Sequence, residues 1–282
     1  MSDILKVLVV VLAAVVAGIL GWWLLIATEG VYLGRRVVGW LYDAYAHRYD
    51  GVKNYYREYE HRYLAQPIMD AIAPHQSPLV LDIATGTGRI PLALMRHSFF
   101  QGRVVGLDIS RRMLRFATKN LYVFDDRTHF IWGTAEKLPF PDNSFDVVTC
   151  LEALEFMTRP KAVLQEMVRV LRPGGLLLVS QRINTKLMPG KTWTAGEFQE
   201  VLAEMGVEDA HAQIWQVDYR KIWGKKAGNS LVTGARPLAE VLRCPRCQAS
   251  RMEDRQTQWV CGNCRAQAAV GTDGVIELWP LE

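Results

Sequence analysis

The strongest constraint on the fold of this chain is the segment of residues 79–88, which reads LVLDIATGTG. Its apolar run ends in an acidic residue, Asp82, and a turn of small residues leads into a helix-like segment that begins at Arg89. A second apolar run, residues 104–107, also ends in an acid, Asp108. A strand, a glycine turn, a helix and a second strand with an acidic end describe a nucleoside-binding βαβ unit. The segment therefore predicts an α/β domain.

The glycine turn also bears on which nucleoside ligand is bound. Glycine permits positive φ and lets the backbone approach a ligand closely. The dinucleotide fingerprint G-x-G-x-x-G requires a third glycine, but this chain has Pro91 at that position. The carboxylate of Asp82 would repel a pyrophosphate, whereas it would attract the ammonium and sulfonium of S-adenosylmethionine. Electrostatics therefore favours S-adenosylmethionine over NAD.

At these residues the chain resembles the class I S-adenosylmethionine-dependent methyltransferases, in particular the methyltransferase type 11 and quinone C-methyltransferase sequences. Their first motif, acid-x-Gly-x-Gly-x-Gly, matches residues 82–88, with Ala84 in place of the first glycine. The resemblance covers residues 40–227, with five motifs in order. It implies a Rossmann-like α/β fold with a seven-stranded sheet, and S-adenosylmethionine as the cofactor.

Later segments carry the rest of the resemblance. Residues 133–140, GTAEKLPF, resemble the family's adenine-edge loop, although many members have Asp where this chain has Thr134. Residues 145–150 resemble the fourth strand, and residues 171–175 resemble the turn into a fifth strand over residues 176–180.

The resemblance also implies site residues. Asp108 would hydrogen-bond the ribose hydroxyls, and Ile109 and Met113 would flank the adenine. The full set of predicted cofactor-binding residues is Tyr49, Asp82, Ala84, Gly86, Gly88, Asp108, Ile109, Met113, Thr134, Ala135, Glu136 and Cys150. The alternative is a Rossmann-like domain that binds another nucleotide or has lost its cofactor.

Two acidic residues are candidates for catalysis. Glu152 and Glu155 follow the fourth strand, where the family often places groups on the substrate side. A partly buried glutamate has a raised pKa and could act as a general base if the acceptor must lose a proton. Either could equally be a carboxylate on a helix surface. A covalent cysteine mechanism is disfavoured because Cys150 lacks a Pro-Cys motif.

The amino-terminal segment is long and apolar. Residues 7–27 contain no charged residue, and a helix of this length rises about 31 Å, the thickness of a bilayer's hydrocarbon core. Trp22 and Trp23 lie near one end, where indole rings prefer the interface. A secretory signal peptide is the alternative, but its apolar region is usually shorter and is followed by a better cleavage site. Residues 1–30 are therefore predicted to be a transmembrane anchor.

The flanking charges predict the orientation of this anchor. The short amino-terminal side offers Lys6 against Asp3, and the other side offers Arg35, Arg36 and Arg48. Positive charges favour the cytoplasmic side. The chain is therefore predicted to be a single-pass membrane protein with its catalytic domain in the cytoplasm.

A tyrosine-rich segment follows the anchor, and residues 31–78 are predicted to form a helical cap over the cleft. Residues 42–50, YDAYAHRYD, resemble the helices that cover the cofactor and substrate in related methyltransferases, which would place Tyr49 near the cofactor. Gly51 is predicted to break the helix. The alternative is that the tyrosines simply pack on the sheet.

Four cysteines near the carboxyl terminus are spaced as metal ligands. Two C-x-x-C pairs, Cys244 with Cys247 and Cys261 with Cys264, are separated by thirteen residues. They offer four thiolates to one tetrahedral Zn²⁺, which would be structural because no coordination position stays open. The segment resembles the small zinc-ribbon proteins that partner certain methyltransferases, with a closing strand over residues 273–278.

These assignments divide the chain into an anchor, the cap, a methyltransferase domain over residues 79–227, a linker over residues 228–240 and a zinc ribbon over residues 241–282. The ribbon has five arginines and five acids, so it is neutral, and the whole chain has a net charge of only +4. The neutrality of the ribbon argues against a nucleic-acid partner, and a net charge of +4 is too small to argue for one.

Three functions remain open at this point. The leading hypothesis is a membrane-anchored methyltransferase that acts on a small hydrophobic or membrane-associated acceptor. The second is an RNA or protein methyltransferase that uses the ribbon for recognition. The third is a scaffold that binds S-adenosylmethionine without catalysis. The sequence predicts no specific protein partner.

Overall fold

The computed structural model describes residues 3–53, 56–183, 188–249 and 251–279. Its centre is a sheet whose inner strands are rich in apolar residues, because a parallel sheet is buried on both faces. All residues of the first and fourth strands are buried. The strands are β1 Leu79–Ile83, β2 Arg103–Asp108, β3 Thr128–Trp132, β4 Phe145–Cys150, β5 Leu171–Arg182, β6 Val207–Gln216, β7 Tyr219–Lys226, β8 Met252–Asp254, β9 Gln258–Cys261, β10 Gln267–Val270 and β11 Ile276–Glu277.

The sheet order confirms the predicted fold class. The strands follow the order β6-β7-β5-β4-β1-β2-β3-β11-β10-β9-β8. Strands β1 to β5 are parallel and β7 is antiparallel to β5, so the first seven strands form a Rossmann-like sheet. The strand order reverses between β1 and β4, because β2 and β3 lie on one side of β1 while β4 and β5 lie on the other. The crevice at such a point is where open α/β sheets bind ligands.

Helices cover both faces of this sheet. The α-helices in the described part of the chain are α1 Asp3–Trp22, α2 Arg35–Lys53, α3 Arg57–Glu60, α4 Gln66–Ile72, α5 Arg89–Met95, α6 Arg111–Asn120, α7 Pro160–Val170, α8 Ala195–Glu204 and α9 Leu238–Val241. Short π-helical turns occupy Trp23–Ala27 and His61–Ala65, and 3-10 turns occupy Val31–Leu33, Tyr122–Phe124 and Leu154–Phe156.

Helix α2 corrects one expectation. Gly51 does not break the helix, which continues from Arg35 to Lys53. A side chain at position 51 would meet no atom within 4 Å, so the glycine does not mark a close contact. One glycine costs a helix about 1 kcal/mol relative to alanine, which the packing of a long helix can offset.

The amino-terminal helix packs against almost nothing. None of the residues of α1 is buried, and an 18-residue window within Asp3–Ala27 has a mean hydropathy of 2.8. By length and composition it could cross a membrane, a property that it shares with signal sequences.

The carboxyl-terminal strands, in contrast, continue the main sheet. Strand β11 pairs in parallel with β3, with Ile276 opposite Ile131 and Glu277 opposite Trp132. Strands β10, β9 and β8 follow as antiparallel neighbours. The segment before them also lies on the domain, because the amide groups of Thr233 and Gly234 donate to the Asp146 carboxylate.

Candidate cofactor site

A cavity opens at the carboxyl edge of the sheet. Its walls come from the turn after β1, the end of β2, the loop after β3, the segment after β4 and helix α2. Nine of the predicted cofactor residues line it: Tyr49, Ala84, Gly86, Asp108, Ile109, Met113, Thr134, Ala135 and Glu136.

The turn after β1 adopts the backbone conformations that its glycines suggest. Gly86 has a φ of 55° and Gly88 a φ of 88°. Ala84, which replaces the first glycine of the family motif, also has a positive φ of 53°. Gly88 lies outside the cavity wall, and a side chain there would approach Leu121 to 2.6 Å. Its glycine serves the packing of the turn against α6.

Asp82 lies beneath this turn. Its carboxylate accepts hydrogen bonds from the hydroxyls of Thr85 at 2.7 Å and Thr149 at 2.6 Å. Burial raises the pKa of Asp82 to about 7. It lines a smaller adjoining cavity together with Tyr49 and Arg89. Asp82 therefore orders the turn next to the main cavity.

Asp108 is held at the end of β2 with both carboxylate oxygens oriented. One oxygen accepts from the amide of Gly86 and the other from the amide of Ser110, each at 2.8 Å. Burial raises the pKa of Asp108 to about 6. Since each carboxylate oxygen has two lone pairs, acceptor capacity remains for hydroxyl groups in the cavity.

The opposite wall combines apolar side chains with one unsatisfied acceptor. Ile109 and Met113 line the cavity beside Thr134 and Glu136. One oxygen of Glu136 accepts from Arg35 at 3.1 Å and from Arg159 at 3.3 Å. The other oxygen is buried and has no hydrogen-bond partner among the described residues. Because an unpaired buried acceptor is costly, this oxygen suits a donor supplied by a ligand.

Helix α2 closes the cavity from above. Asp43 accepts from the Ser110 hydroxyl at 2.6 Å and from the Arg112 amide at 2.9 Å, which fastens α2 to the start of α6. Tyr42 and Tyr49 of the same helix line the cavity. The two aromatic rings lie 6.5 Å apart.

The two candidate catalytic glutamates have different environments. Glu152 lines the cavity, has a φ of 53°, and accepts from Arg89 at 2.6 Å and Gln216 at 3.1 Å. Glu155 lies outside the wall of the main cavity and accepts from the hydroxyl of Tyr219. Burial raises the pKa of Glu155. The structure therefore brings only Glu152 to the site, and there its carboxylate is held by a cation.

Cys150 is likewise outside the cavity wall. It is fully buried at the end of β4, and burial raises the pKa of its thiol well above the usual range. A thiol in this state is a poor nucleophile. Its placement gives no support to a direct contact with a cofactor.

Sequence reasoning missed most of the remaining cavity wall. The residues it did not assign to the site are Arg35, Val38, Tyr42, Leu107, Gly133, Leu151, Ala153, Phe156, Met157, Thr158 and Val163. Most follow β4 or begin α2, where no motif marks them. In the sequence, Arg35 stands out only as one of the positive charges that follow the apolar amino-terminal segment.

The four carboxyl-terminal cysteines converge on one point. Their sulfur atoms all lie within 4.8 Å of one another, and the pairs Cys244–Cys264 and Cys247–Cys261 are each 3.6 Å apart. A tetrahedral zinc with bonds of about 2.3 Å would separate its sulfurs by about 3.8 Å. The amide groups of Asn263 and Cys264 donate to the Cys261 sulfur, which favours a thiolate there. The residues therefore fit a tetrahedral metal.

Comparisons with known proteins agree with this geometry. Residues 81–179 match the family described as "Methyltransferase domain". A ubiquinone/menaquinone biosynthesis C-methyltransferase of Yersinia pestis is 31% identical over 181 residues, covering 62% of this chain and 72% of that protein. The chain belongs to the class I S-adenosylmethionine-dependent methyltransferases. Proteins of the same name from Roseobacter denitrificans and Azotobacter vinelandii are 35% and 36% identical, and this chain spans 60% and 66% of their lengths.

Solved structures support the fold of this methyltransferase. The [4+2]-cyclase SpnF aligns with a TM-score of 0.59 at 17% identity, covering 70% of this chain and 97% of that one. A complex between the Haloferax volcanii Trm112 methyltransferase activator and a methyltransferase contains a chain that aligns with a TM-score of 0.54 at 22% identity, covering 66% and 98%. Membership of the family implies S-adenosylmethionine as the cofactor.

Proposed function

We propose that this chain is a membrane-anchored enzyme that transfers a methyl group from S-adenosylmethionine to a small hydrophobic acceptor, quinone-like or lipid-like. The observation that carries the proposal is the position of the cavity. Arg35 and Val38 line it, and they lie only eight and eleven residues after Ala27, the last residue of the apolar helical stretch. The named relatives are quinone C-methyltransferases, which supports the same class of acceptor.

Charge and shape favour S-adenosylmethionine in this cavity. The carboxylates of Asp82, Asp108 and Glu152 surround its sheet side and suit a cationic ligand. Asp108 would hold the ribose hydroxyls, and Ile109 and Met113 would pack against the adenine. The unsatisfied oxygen of Glu136 would accept from an amino group. When bound, the cofactor supplies an activated methyl group with a good leaving group.

The acceptor side of the cavity is apolar. Leu151, Ala153, Phe156 and Met157 follow β4 and line the cavity together with Val163 of α7. Methyl transfer depends mainly on alignment of acceptor and methyl group, so these side chains would act by positioning and by excluding water. We assign Glu152 a positioning role, because Arg89 and Gln216 fix its carboxylate. A role as general base for Glu152 or Glu155 stays a prediction.

The cysteine cluster would hold a structural Zn²⁺. Four cysteine ligands complete a tetrahedral site and leave no position for substrate. Two of these ligands, Cys244 and Cys261, are fully buried. Such a site supplies folding energy to a module too small for its own core.

The experiment that tests the function uses detergent-solubilised full-length protein and radiolabelled S-adenosylmethionine, incubated with lipid, RNA and protein fractions. Label in the organic phase supports the proposal. Label confined to RNA or protein would replace it with the macromolecular alternative. Tight cofactor binding without transfer of label to any fraction would leave a scaffold. Retention of the protein in membranes after carbonate washing tests the anchor separately, since a spanning helix resists that treatment.

A further inference from the structure

Three exposed apolar residues lie near the turn between β6 and β7: one follows β5, one is near the end of β6, and one is in the turn itself. Ile183 is 39% exposed, Ile214 78% and Val217 94%. The amide of Ile183 donates to the carbonyl of Asp218 at 2.8 Å, which joins the segment after β5 to the hairpin turn. Single exposed apolar residues are ordinary, but a group at one edge of a domain indicates an interaction site. We call Ile183, Ile214 and Val217 the apolar rim.

The apolar rim lies at the same edge of the sheet as the cofactor cavity. Arg182, at the carboxyl end of β5, pairs with Tyr219 at the start of β7, so the hairpin turn projects at the carboxyl edge. Gln216, adjacent to Val217, donates to Glu152 of the cavity wall at 3.1 Å. The rim is therefore one residue away from a side chain that touches the site.

The segment that follows the apolar helix packs onto this edge as well. Val31, Phe156 and Met188 form one buried apolar cluster. The hydroxyl of Tyr32 donates to the carbonyl of Pro189 at 2.7 Å, and Arg182 approaches the sulfur of Met188 at 3.6 Å. A chain of direct contacts thus connects the exit of the helix to the end of β5 and the rim.

We propose that the apolar rim inserts into the interfacial region of the same bilayer that the amino-terminal helix spans. This inference rests on the proposed membrane anchor. The helix keeps the bilayer close to the edge on which the rim lies, and no described part of the chain covers the rim. Arg220, which lies opposite Ile214 in the hairpin, suits anionic headgroups. Asp218 in the turn would stay at the level of the headgroups.

Two membrane contacts would then flank the cavity. The anchor leads to Arg35 and Val38 on one wall, and the rim leads through Gln216 to Glu152 on another. This arrangement turns the apolar lining after β4 toward the lipid. A hydrophobic acceptor could pass from bilayer to cavity without crossing bulk water.

The test measures depth in the membrane with a spin label. Val217→Cys is prepared in the full chain, labelled with a nitroxide, and reconstituted in nanodiscs of phosphatidylcholine and anionic phosphatidylglycerol. Leu231→Cys is the matched control, because Leu231 is also 94% exposed but follows Ser230, whose carbonyl contacts Arg172 at the opposite edge of the sheet. Label stoichiometry and zinc content confirm that the native cysteines stay unmodified.

The expected result is higher accessibility of the residue 217 label to dissolved oxygen than to a water-soluble nickel chelate, with the reverse order for residue 231. A residue 217 label that is as accessible to nickel as the control, in protein that still co-purifies with the nanodiscs, would overturn the rim while leaving the anchor intact. Failure of the unlabelled full chain to enter the nanodiscs would overturn the anchor, and the rim with it.

Discussion

The two ends of this methyltransferase are both appended to the core domain, but they relate to it in opposite ways. The amino-terminal helix buries none of its residues. The carboxyl-terminal strands extend the central sheet from β3 outward, and Trp259, Ala268 and Ile276 belong to the same buried core as β1 and β4. An apolar helix with no buried residues is stabilised by apolar surroundings outside the protein, whereas a ribbon whose strands extend the sheet contributes to the stability of the domain.

The ribbon also supports the walls of the cofactor cavity. Arg111 of α6 forms ion pairs with Asp273 at 2.7 Å and with Glu277 at 2.9 Å. The amide groups of Leu278 and Trp279 donate to the carbonyl of Trp132, the residue before the adenine-edge loop. Loss of the ribbon should therefore weaken cofactor binding, and loss of the amino-terminal helix should not.

The largest expected effect is loss of the metal. Cys261→Ser removes a buried cysteine of the cluster that we propose binds zinc, so we expect loss of zinc and a stability loss of about 4 kcal/mol or more, the range that loss of a metal site reaches. Affinity for S-adenosylhomocysteine should fall as well, because the pairing of β11 with β3 loosens. Metal analysis, thermal denaturation and calorimetric titration measure these changes. Cys150→Ala is the control: it removes the cysteine outside the cluster and should keep the zinc. If zinc-free Cys261→Ser bound S-adenosylhomocysteine with unchanged affinity, the ribbon would not support the cofactor site.

The next effect is a pH dependence of cofactor binding. The pKa of Asp108 is raised to about 6 in the folded protein. As the pH rises from about 4 to about 6, this carboxyl ionises in the unfolded chain but stays protonated in the folded one, so the free energy of unfolding falls. Above about pH 6 this loss of stability stays constant. Ribose hydroxyls favour the ionised carboxylate, so affinity for S-adenosylhomocysteine should fall about tenfold from pH 7.5 to about 5. Titration calorimetry measures this profile. Asp108→Asn should bind more weakly and lose the pH dependence; a wild-type profile in that variant would exclude Asp108 as the source.

A smaller effect is expected from the contact between ribbon and α6. Arg111→Ala removes both ion pairs of a partly buried guanidinium, and we expect a loss of about 1–2 kcal/mol of stability and a few-fold weaker cofactor binding. Arg115→Ala, an exposed arginine on the same helix, is the matched control. Equal effects of the two substitutions, in denaturation and in titration, would mean that the ribbon does not stabilise the cavity wall.

The smallest effect should come from the other end of the chain. Deletion of residues 1–22 removes α1, none of whose residues is buried, so the melting temperature and the cofactor affinity should stay at their full-length values. The same deletion should release the protein from membranes in a flotation assay. A large drop in melting temperature would show that α1 packs against the domain, and the two ends of the chain would then not differ in their contribution to stability.

Local motifs carried most of the fold prediction. The acidic ends of β1 and β2, the glycine turn and the C-x-x-C pairs are each written in a few consecutive residues, and the structure places Asp82 and Asp108 at neighbouring strand ends as expected. The break predicted at Gly51 was wrong, because a long helix that packs on α6 tolerates one glycine. The sequence also separated the ribbon from the domain, although strand pairing joins them.

The sequence by itself determined the fold class, the type of cofactor and the set of four cysteines that converge, because these depend on residue types at short, fixed spacings. Only the tertiary structure decided which side chains meet. It brought Arg35 to Glu136 across 101 positions and Arg111 to Glu277 across 166, placed Glu155 and Cys150 away from the cavity, and joined β11 to β3. Contacts between such distant residues follow from sheet order and packing, which no local pattern records.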